Sequence, residues 1–144
     1  MDTGPEPAVV LHASTVAFRG RGVLISGRSG SGKSGLALDL MALGAELVAD
    51  DRTAVTVRDG RLIASCPPAI SGRIEARFVG LLNAYAHGPA PLALVVDLDV
   101  TEDRRLPPFH SREIAGISLP VLHNIAQRHF PAAIRQYLLH GRRD

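Results

Sequence analysis

A glycine-rich stretch between two apolar segments constrains this chain more than any other feature. Residues 27–34 have the sequence GRSGSGKS, which satisfies the pattern G-x-x-x-x-G-K-[ST]. The apolar run at 23–25 predicts a strand before it, and leucines from residue 36 onward predict a helix after it. Glycines allow successive backbone N–H groups to point at phosphate oxygens, so a phosphate-binding loop in an α/β domain is predicted.

Every residue of this loop is a candidate nucleotide-binding residue: Gly27, Arg28, Ser29, Gly30, Ser31, Gly32, Lys33 and Ser34. Lys33 is expected to reach the β and γ phosphates, and Ser34 is expected to offer its hydroxyl to Mg²⁺. The loop therefore predicts a nucleoside triphosphate and Mg²⁺ as cofactors.

A loop of this kind needs a carboxylate for its metal or its nucleophile, and two places in the sequence offer one. Asp50 and Asp51 end the strand-like stretch ELVADD, whereas Asp97 and Asp99 end the apolar run LALVVDLD. The second run is more typical of a metal-holding strand, but adjacent carboxylates repel and are best tolerated near a cation. The residues alone leave this choice open.

The remaining pattern predicts a mixed sheet with β-hairpins. Residues 9–25 predict an opening hairpin, Asp59-Gly60 predicts a second one, and 92–99 predict a central strand covered on both faces. Residues 131–141 predict a helix with proline in its first turn and glycine at its end. The polar, proline-interrupted segment 100–116 predicts a mobile loop.

Residues 73–82 alternate with period two and predict one strand. Ile74, Ala76 and Phe78 would point to one face, while Glu75 and Arg77 would point together to the other.

Composition excludes several classes of protein. The 144 residues suit one compact domain, spanning 1–144. No apolar run approaches the roughly 20 residues needed to cross a bilayer, and the N-terminus lacks an export signal. The net charge of +2 and the scarcity of aromatics disfavour nucleic-acid binding. We expect a cytoplasmic protein with neither a membrane nor a nucleic-acid partner.

Metal-ligand patterns are not evident elsewhere. The lone Cys66 has no second cysteine for a disulfide or a metal site. The histidines beyond the first strand lack metal-ligand spacing and are predicted to be structural or at the surface: His87, His110, His123, His129 and His140.

Five short segments occur in an order and spacing that resemble the HPr kinase/phosphorylase family: LHAS, GRSGSGKS, LVADD, CPP and IEARFVG. The resemblance runs from about Val10 to about Pro107, and more narrowly it is similar to the short alphaproteobacterial form that consists of the catalytic domain. It implies a fold like the phosphoenolpyruvate carboxykinase core. It also implies transfer of a phosphoryl group from ATP, or from pyrophosphate, to a serine of HPr, the carrier protein of the sugar phosphotransferase system. The resemblance implies reverse phosphorolysis with inorganic phosphate as well. It also implies that the chain forms a homo-oligomer, namely a hexamer.

The resemblance also implies roles for acidic residues. Asp50 would take the proton from the attacking serine hydroxyl and return it in the reverse direction. Asp51 would support it or touch the metal shell, and Glu75 would coordinate or orient Mg²⁺ together with Ser34.

The resemblance implies roles for basic residues and for one histidine as well. Arg77 would contact phosphate or fix Glu75, and His12 would line the site. Arg105 would stabilise charge on the transferred phosphoryl group, with the adjacent Arg104 as the alternative.

The chain departs from the family pattern at Gly35, where many members carry an acidic residue, and at Phe78, where the signature strand usually has glycine. These departures keep open a nucleotide-binding regulator that transfers no phosphate. The open choice of carboxylate leaves a second alternative, a small-molecule kinase or nucleoside triphosphatase that uses Asp97 as metal ligand.

Overall fold

The computed structural model describes residues 7–144. Its elements are β1 (Val9–Leu11), β2 (Ala13–Phe18), β3 (Arg21–Ser26), α1 (Lys33–Ala42), β4 (Glu46–Ala49), β5 (Thr53–Arg58), β6 (Arg61–Ser65), a 3₁₀ turn (Pro68–Ile70), β7 (Arg73–Ala76), β8 (Gly80–Asn83), β9 (Ala90–Thr101), β10 (His110–Ile114), β11 (Ile117–Asn124) and α2 (Phe130–His140).

Both predicted hairpins are confirmed. Strands β2 and β3 pair antiparallel, with Phe18 opposite Arg21. Strands β5 and β6 pair in the same way around Asp59 and Gly60, whose φ angles are +52° and +75°. Positive φ at both central residues is the geometry that favours Asp-Gly in two-residue hairpin turns.

The main sheet is mixed, as predicted, and β9 lies at its centre. This 12-residue strand pairs parallel with β3 and β11 and antiparallel with β6 at its start. The strand order is β1-β5-β6-β9-β3-β2-β4, with β11 also on β9 and β10 on β11. Because β3 and β9 are parallel, the loop after β3 and the carboxyl end of β9 meet at one edge of the sheet.

The sheet buries apolar side chains on both faces, which is why β9 is almost continuously apolar. Ile25 and Val96 belong to the cluster that packs under both helices. Leu24 and Val95, their chain neighbours, belong to a second cluster on the opposite face. This alternation follows from the period of two in a strand.

Both helices end near a glycine, and Gly141 is the end that the sequence predicts for the second helix. Gly44, at φ +109°, follows α1, and its N–H donates to Met41 O at 3.0 Å. Gly141, at φ +79°, follows α2 and donates to Tyr137 O. Neither helix in the described part of the chain is long and apolar enough to span a membrane.

The prediction of one strand over 73–82 is wrong. The chain reverses after β7, where Val79 N donates to Ala76 O at 2.9 Å and Phe78 has a φ of +67°. Strand β8 then returns antiparallel to β7. Ile74 and Ala76 are both buried, but Phe78, predicted to share their face, is 100% exposed because it lies at the turn.

The predicted loop over 100–116 is also wrong in part. Residue 101 still belongs to β9, and residues 110–114 form β10, which pairs along its whole length with β11. Ile114 is buried, which anchors this otherwise polar strand. The irregular part is confined to residues 102–109 and to the turn before β11.

Candidate phosphate-binding site

The glycine-rich loop has a backbone that demands glycine. Gly27, Gly30 and Gly32 have φ angles of +156°, +82° and +100°, which side-chain-bearing residues rarely adopt. A Cβ at Gly27 would lie 2.5 Å from Ser31 Oγ. The loop therefore closes tightly on itself just before α1, whose first N–H groups lack partners within the helix.

Two polar groups inside this loop have unused hydrogen-bonding capacity. Ser31 Oγ is buried and has no hydrogen-bond partner among the described residues. Lys33 is 6% exposed, and its Nζ donates to Arg28 O at 3.1 Å across the loop. An ammonium group carries three donors, and this carbonyl uses one of them. Phosphate oxygens are acceptors that would suit both groups.

Asp50 connects the loop to two neighbouring strands. Its Oδ1 accepts hydrogen bonds from Ser34 Oγ at 2.6 Å and from Ser14 Oγ at 2.8 Å. Its Oδ2 accepts a hydrogen bond from the backbone N–H of Glu75 at 3.0 Å. The Asp50 carboxylate, directly after β4, thus links Ser34 to Ser14 on β2 and to the backbone of β7.

Asp51 turns away from Asp50 and faces the cleft. Its φ of +69° turns the chain, and its N–H donates to Ser14 Oγ at 3.1 Å. Asp51 Oδ1 lies 2.7 Å from His12 Nε2, and both side chains are more than half exposed. The structure therefore places His12 at the rim of the site.

A cleft of about 250 Å³ lies over the loop and gathers most of the predicted residues. Its walls are formed by Ser29, Gly30, Gly32, Lys33, Ser34, Gly35, Leu38, Asp51, Glu75 and Arg77. Arg77 reaches it from the turn after β7, not from the strand that the alternation predicted. Asp50 lies behind this wall, in contact with Ser34.

The alternative carboxylates, Asp97 and Asp99, are engaged elsewhere. Asp97 Oδ2 accepts a hydrogen bond from Arg112 Nη2 at 2.9 Å, and its Oδ1 accepts one from Asp99 N at 2.9 Å. Asp99 accepts hydrogen bonds from Arg28 N at 3.1 and 3.2 Å. Both carboxylates brace the end of β9 and the start of the loop, and neither is among the residues that line the cleft.

Three arginines that the sequence singled out, Arg28, Arg104 and Arg105, do not line the cleft over the loop. Arg104 and Arg105 line a separate, larger cleft of about 690 Å³ between residues 101–108, the end of β11 and α2. The side chain of Arg28 is 87% exposed and points toward Asp99, with Nε 3.8 Å from Oδ1.

Sequence reasoning missed Ser14 and Arg112. Ser14 belongs to the LHAS segment, and its hydroxyl donates to Asp50 while accepting from Asp51 N. Arg112 lies in the segment predicted to be a loop, so nothing in the sequence indicated that it would face Asp97 and Ser26.

Two of the histidines that were predicted to be structural or at the surface, His110 and His123, lie beside a carboxylate. Ligand atoms of Glu102, His110 and His123 all lie within 4.8 Å of one another. His110 Nε2 lies 2.9 Å from Glu102 Oε1, and this hydrogen bond holds the pKa of the Glu102 carboxyl below its usual range. The three residues come from three segments, so their sequence spacing carries no signal.

The residues around the loop fit Mg²⁺ and a polyphosphate. Ser34, Asp51 and Glu75 offer hydroxyl and carboxylate oxygens, which are the ligands that Mg²⁺ prefers. The unpartnered Ser31 Oγ and the spare donors of Lys33 fit phosphate oxygens.

Part of the chain matches a known protein family. Residues 6–92, more than half of the chain, match the family model described as the HPr Serine kinase C-terminal domain. The chain belongs to this family.

Curated relatives of the HPr kinase family are longer than this chain. An HPr kinase/phosphorylase from Aromatoleum aromaticum is 36% identical over 133 residues, covering 81% of this chain and 41% of that protein. One from Clostridium tetani is 41% identical over 83 residues, covering 58% of this chain and 27% of that protein. The chain spans less than half the length of these relatives.

A solved structure shares the HPr kinase fold described above. The Hpr(Ser) kinase/phosphatase from Coxiella burnetii matches with a TM-score of 0.75 and 24% identity, covering 89% of this chain and 92% of that one. This likeness confirms the α/β fold with its mixed, hairpin-rich sheet.

Proposed function

We propose that this chain is the catalytic domain of an ATP-dependent protein-serine kinase that phosphorylates HPr. The observation that carries the proposal is the position of Asp50, which accepts hydrogen bonds from Ser34 of the loop and from the backbone of Glu75. A carboxylate held against the loop hydroxyl lies beside the place where the terminal phosphate of ATP would be transferred.

The donor nucleotide would be held by the loop itself. The N–H groups of Arg28 and Ser31 already donate to Asp99 and to Arg28 O, so the other backbone N–H groups of the loop and the N-terminus of α1 would favour the triphosphate charge. Lys33 would exchange its bond to Arg28 O for phosphate oxygens, and Ser31 would gain a partner for its buried hydroxyl. The same contacts would accept pyrophosphate as donor.

The metal would be held by oxygen atoms on the cleft wall. Ser34 uses its single proton toward Asp50 and keeps its oxygen lone pairs for a metal. Asp51 and Glu75 would complete the protein ligands. Mg²⁺ bound there supplies positive charge that offsets the charge on the transferring phosphoryl group.

Asp50 would act as the proton acceptor. Its Oδ1 already accepts two hydroxyl donors, so the carboxylate is oriented toward hydroxyl groups at this point of the site. As the substrate serine oxygen bonds to the γ phosphorus, the bond to the β-phosphate oxygen breaks, ADP leaves and the serine proton passes to Asp50. In reverse, an oxygen of inorganic phosphate bonds to the phosphorus of the phosphoserine, the bond from that phosphorus to the serine oxygen breaks, and the serine oxygen takes the proton from Asp50 as pyrophosphate is formed.

Basic side chains would hold the transferring group. Arg77 lines the cleft beside Glu75 and is available to phosphate. The His12–Asp51 pair would stabilise the position of Asp51 at the rim. Arg105, or Arg104 next to it, would contribute only after residues 102–109 move toward the loop, because both line the larger cleft.

A protein substrate is supported by the surface next to the cleft. The β7–β8 hairpin carries Glu75 and Arg77 and also exposes Phe78, Val79 and Leu81 by 100%, 74% and 67%. Contiguous exposed apolar side chains of this kind mark interaction surfaces for macromolecules. They favour HPr, or an HPr-like carrier, over a small-molecule acceptor.

The proposal has several finer parts that follow from the motif resemblance. Residues 1–144 would form a single catalytic domain of the short alphaproteobacterial form. Its fold would resemble the phosphoenolpyruvate carboxykinase core, and the chain would assemble into a homo-oligomer, namely a hexamer. A cytoplasmic location belongs with them, because ATP is the donor.

The test is to incubate the purified protein with Mg·ATP and HPr and to measure phosphoserine on HPr by mass spectrometry. We expect one phosphoryl group on one serine, removed again when phosphate is added in excess. ATP binding without any phosphoserine at high enzyme concentration would contradict the proposal and favour a nucleotide-binding regulator. A phosphoserine that persists in phosphate would remove only the reverse reaction.

A further inference from the structure

The wall of the larger cleft contains two histidines stacked beside one carboxylate. The rings of His110 and His123 have centroids 4.0 Å apart and planes inclined by 23°. Glu102 Oε1 lies 2.9 Å from His110 Nε2 and 3.5 Å from His123 Nδ1. One carboxylate oxygen thus faces a nitrogen of each ring.

The sheet register brings these residues together. Strand β10 places His110 opposite Val121 on β11, so His123, two residues further on, lies on the same face. Glu102 follows β9, and its N–H donates to Asn124 O at 2.9 Å. Three rigid strand ends therefore fix the three side chains.

The separations fit one metal ion. At bond lengths of about 2.1 Å, ligand atoms around one ion lie about 3.0–3.5 Å apart. The two carboxylate–imidazole distances, 2.9 and 3.5 Å, are close to this range before any ion binds. The ligand atoms that the three residues offer all lie within 4.8 Å of one another, and the stacked rings must rotate before a nitrogen of each points at the same ion.

The surroundings allow an ion to enter and to be held. The side chains of Glu102, His123 and His110 are 10%, 19% and 27% exposed, so the ligands are shielded but face the cleft. Asp103 adds a carboxylate to the cleft lining, and Arg104, Arg105 and Arg142 add positive charge. A metal with two imidazoles and one carboxylate keeps an open position, and these arginines suit an anion there.

We propose that Glu102, His110 and His123 form a binding site for a divalent transition-metal ion, with Zn²⁺ as the probe. Two imidazoles and one carboxylate are a donor set that suits Zn²⁺ better than Mg²⁺. The ion links the end of β9 to β10 and β11 and fixes the start of residues 102–109. The site is separate from the phosphate-binding loop, so it does not depend on the proposed kinase activity.

The first test uses the unmodified protein. Metal-free, ¹⁵N-labelled protein is titrated with Zn²⁺ while the imidazole nitrogens are followed by NMR. We expect the signals of His110 and His123 to shift together and to saturate at one equivalent. Unchanged signals from this pair, or shifts confined to His12 beside Asp51, would overturn the proposal.

The second test measures Zn²⁺ affinity by calorimetry in His110→Ala, His123→Ala and Glu102→Gln. Each should weaken binding by at least the roughly 10- to 100-fold that loss of a supporting residue costs at a metal site. His140→Ala, which removes an exposed histidine at the end of α2, is the matched control and should bind as the wild type does. Equal affinity in the four variants would overturn the proposal.

Discussion

Replacing Asp50 by asparagine separates its chemical role from its structural one. The side chain keeps one oxygen, which can still accept hydrogen bonds from Ser14 and Ser34. In the wild type the N–H of Glu75 donates to Asp50 Oδ2 at 3.0 Å. In the variant an NH₂ group stands at that position, so two donors face each other. One unsatisfied donor should lower the free energy of unfolding by about 1–3 kcal/mol.

The effect on turnover should be far larger. Asparagine cannot accept the serine proton, and loss of a general base costs roughly 10²- to 10⁴-fold in rate. The assay is the initial rate of phosphoserine formation on HPr at saturating Mg·ATP, at a temperature where circular dichroism shows the variant folded.

Asp97→Asn is the matched control. In the wild type Arg112 Nη2 donates to Asp97 Oδ2 at 2.9 Å. The variant places an NH₂ group there, and the loss of a hydrogen bond between charged groups costs about 1.5–3 kcal/mol. The two variants should therefore be destabilised to a similar degree, but only Asp50→Asn should lose turnover. If Asp97→Asn abolished turnover and Asp50→Asn did not, the reasoning would be refuted, and a P-loop enzyme with Asp97 as metal ligand would replace it.

Three further predictions concern the loop, the thiol and the core. Gly27→Ala brings a Cβ to 2.5 Å from Ser31 Oγ and should strain the loop by about 1–3 kcal/mol. Calorimetry should then show Mg·ATP binding weakened roughly 5- to 150-fold. Unchanged affinity would mean that the loop does not close on phosphate. Burial raises the pKa of the Cys66 thiol in the folded protein above its value in the unfolded protein. The contribution of this thiol to the free energy of unfolding is therefore complete below the pKa of the unfolded state and is lost as the pH rises through the pKa of the folded state. Iodoacetamide near pH 8.5 should alkylate the folded protein more slowly than the denatured protein, and equal rates would contradict this. Ile134→Ala removes a fully buried side chain and should cost about 2–5 kcal/mol in urea unfolding, whereas Leu106→Ala, at a 68% exposed residue, should change stability by no more than about 0.5 kcal/mol.

Local signals in the sequence were sufficient for the elements that carry the loop. The Gly-Lys-Ser pattern between a β-branched run and a leucine repeat predicted β3, the loop and α1, and Asp59-Gly60 predicted its hairpin. These features depend on backbone conformations that few residues adopt, so the residue types report them directly.

Features that depend on strand pairing were not predictable in this way. Phe78 continues the alternation of β7, yet it lies at a turn with positive φ, a conformation that its side chain disfavours. Strand β10 is polar and becomes a strand only because β11 pairs with it. The register of that pair also creates the His110–His123 contact, which no spacing in the sequence reveals.

The site was predicted residue by residue only in part. The motifs indicated Asp50, Asp51, Glu75 and the loop, and the structure brings these together. The motifs did not indicate that Asp50 would hold Ser34 directly, because that contact depends on how β4 packs beside the loop.

The most direct test of phosphoryl transfer follows the γ-phosphate of labelled ATP in a single turnover with the wild-type protein, Mg²⁺ and HPr. We expect the label to appear on one serine of HPr as ATP is consumed, and to stay on ATP when that serine is replaced by alanine. Label released as free phosphate, or left on ATP in the presence of intact HPr, would contradict the account.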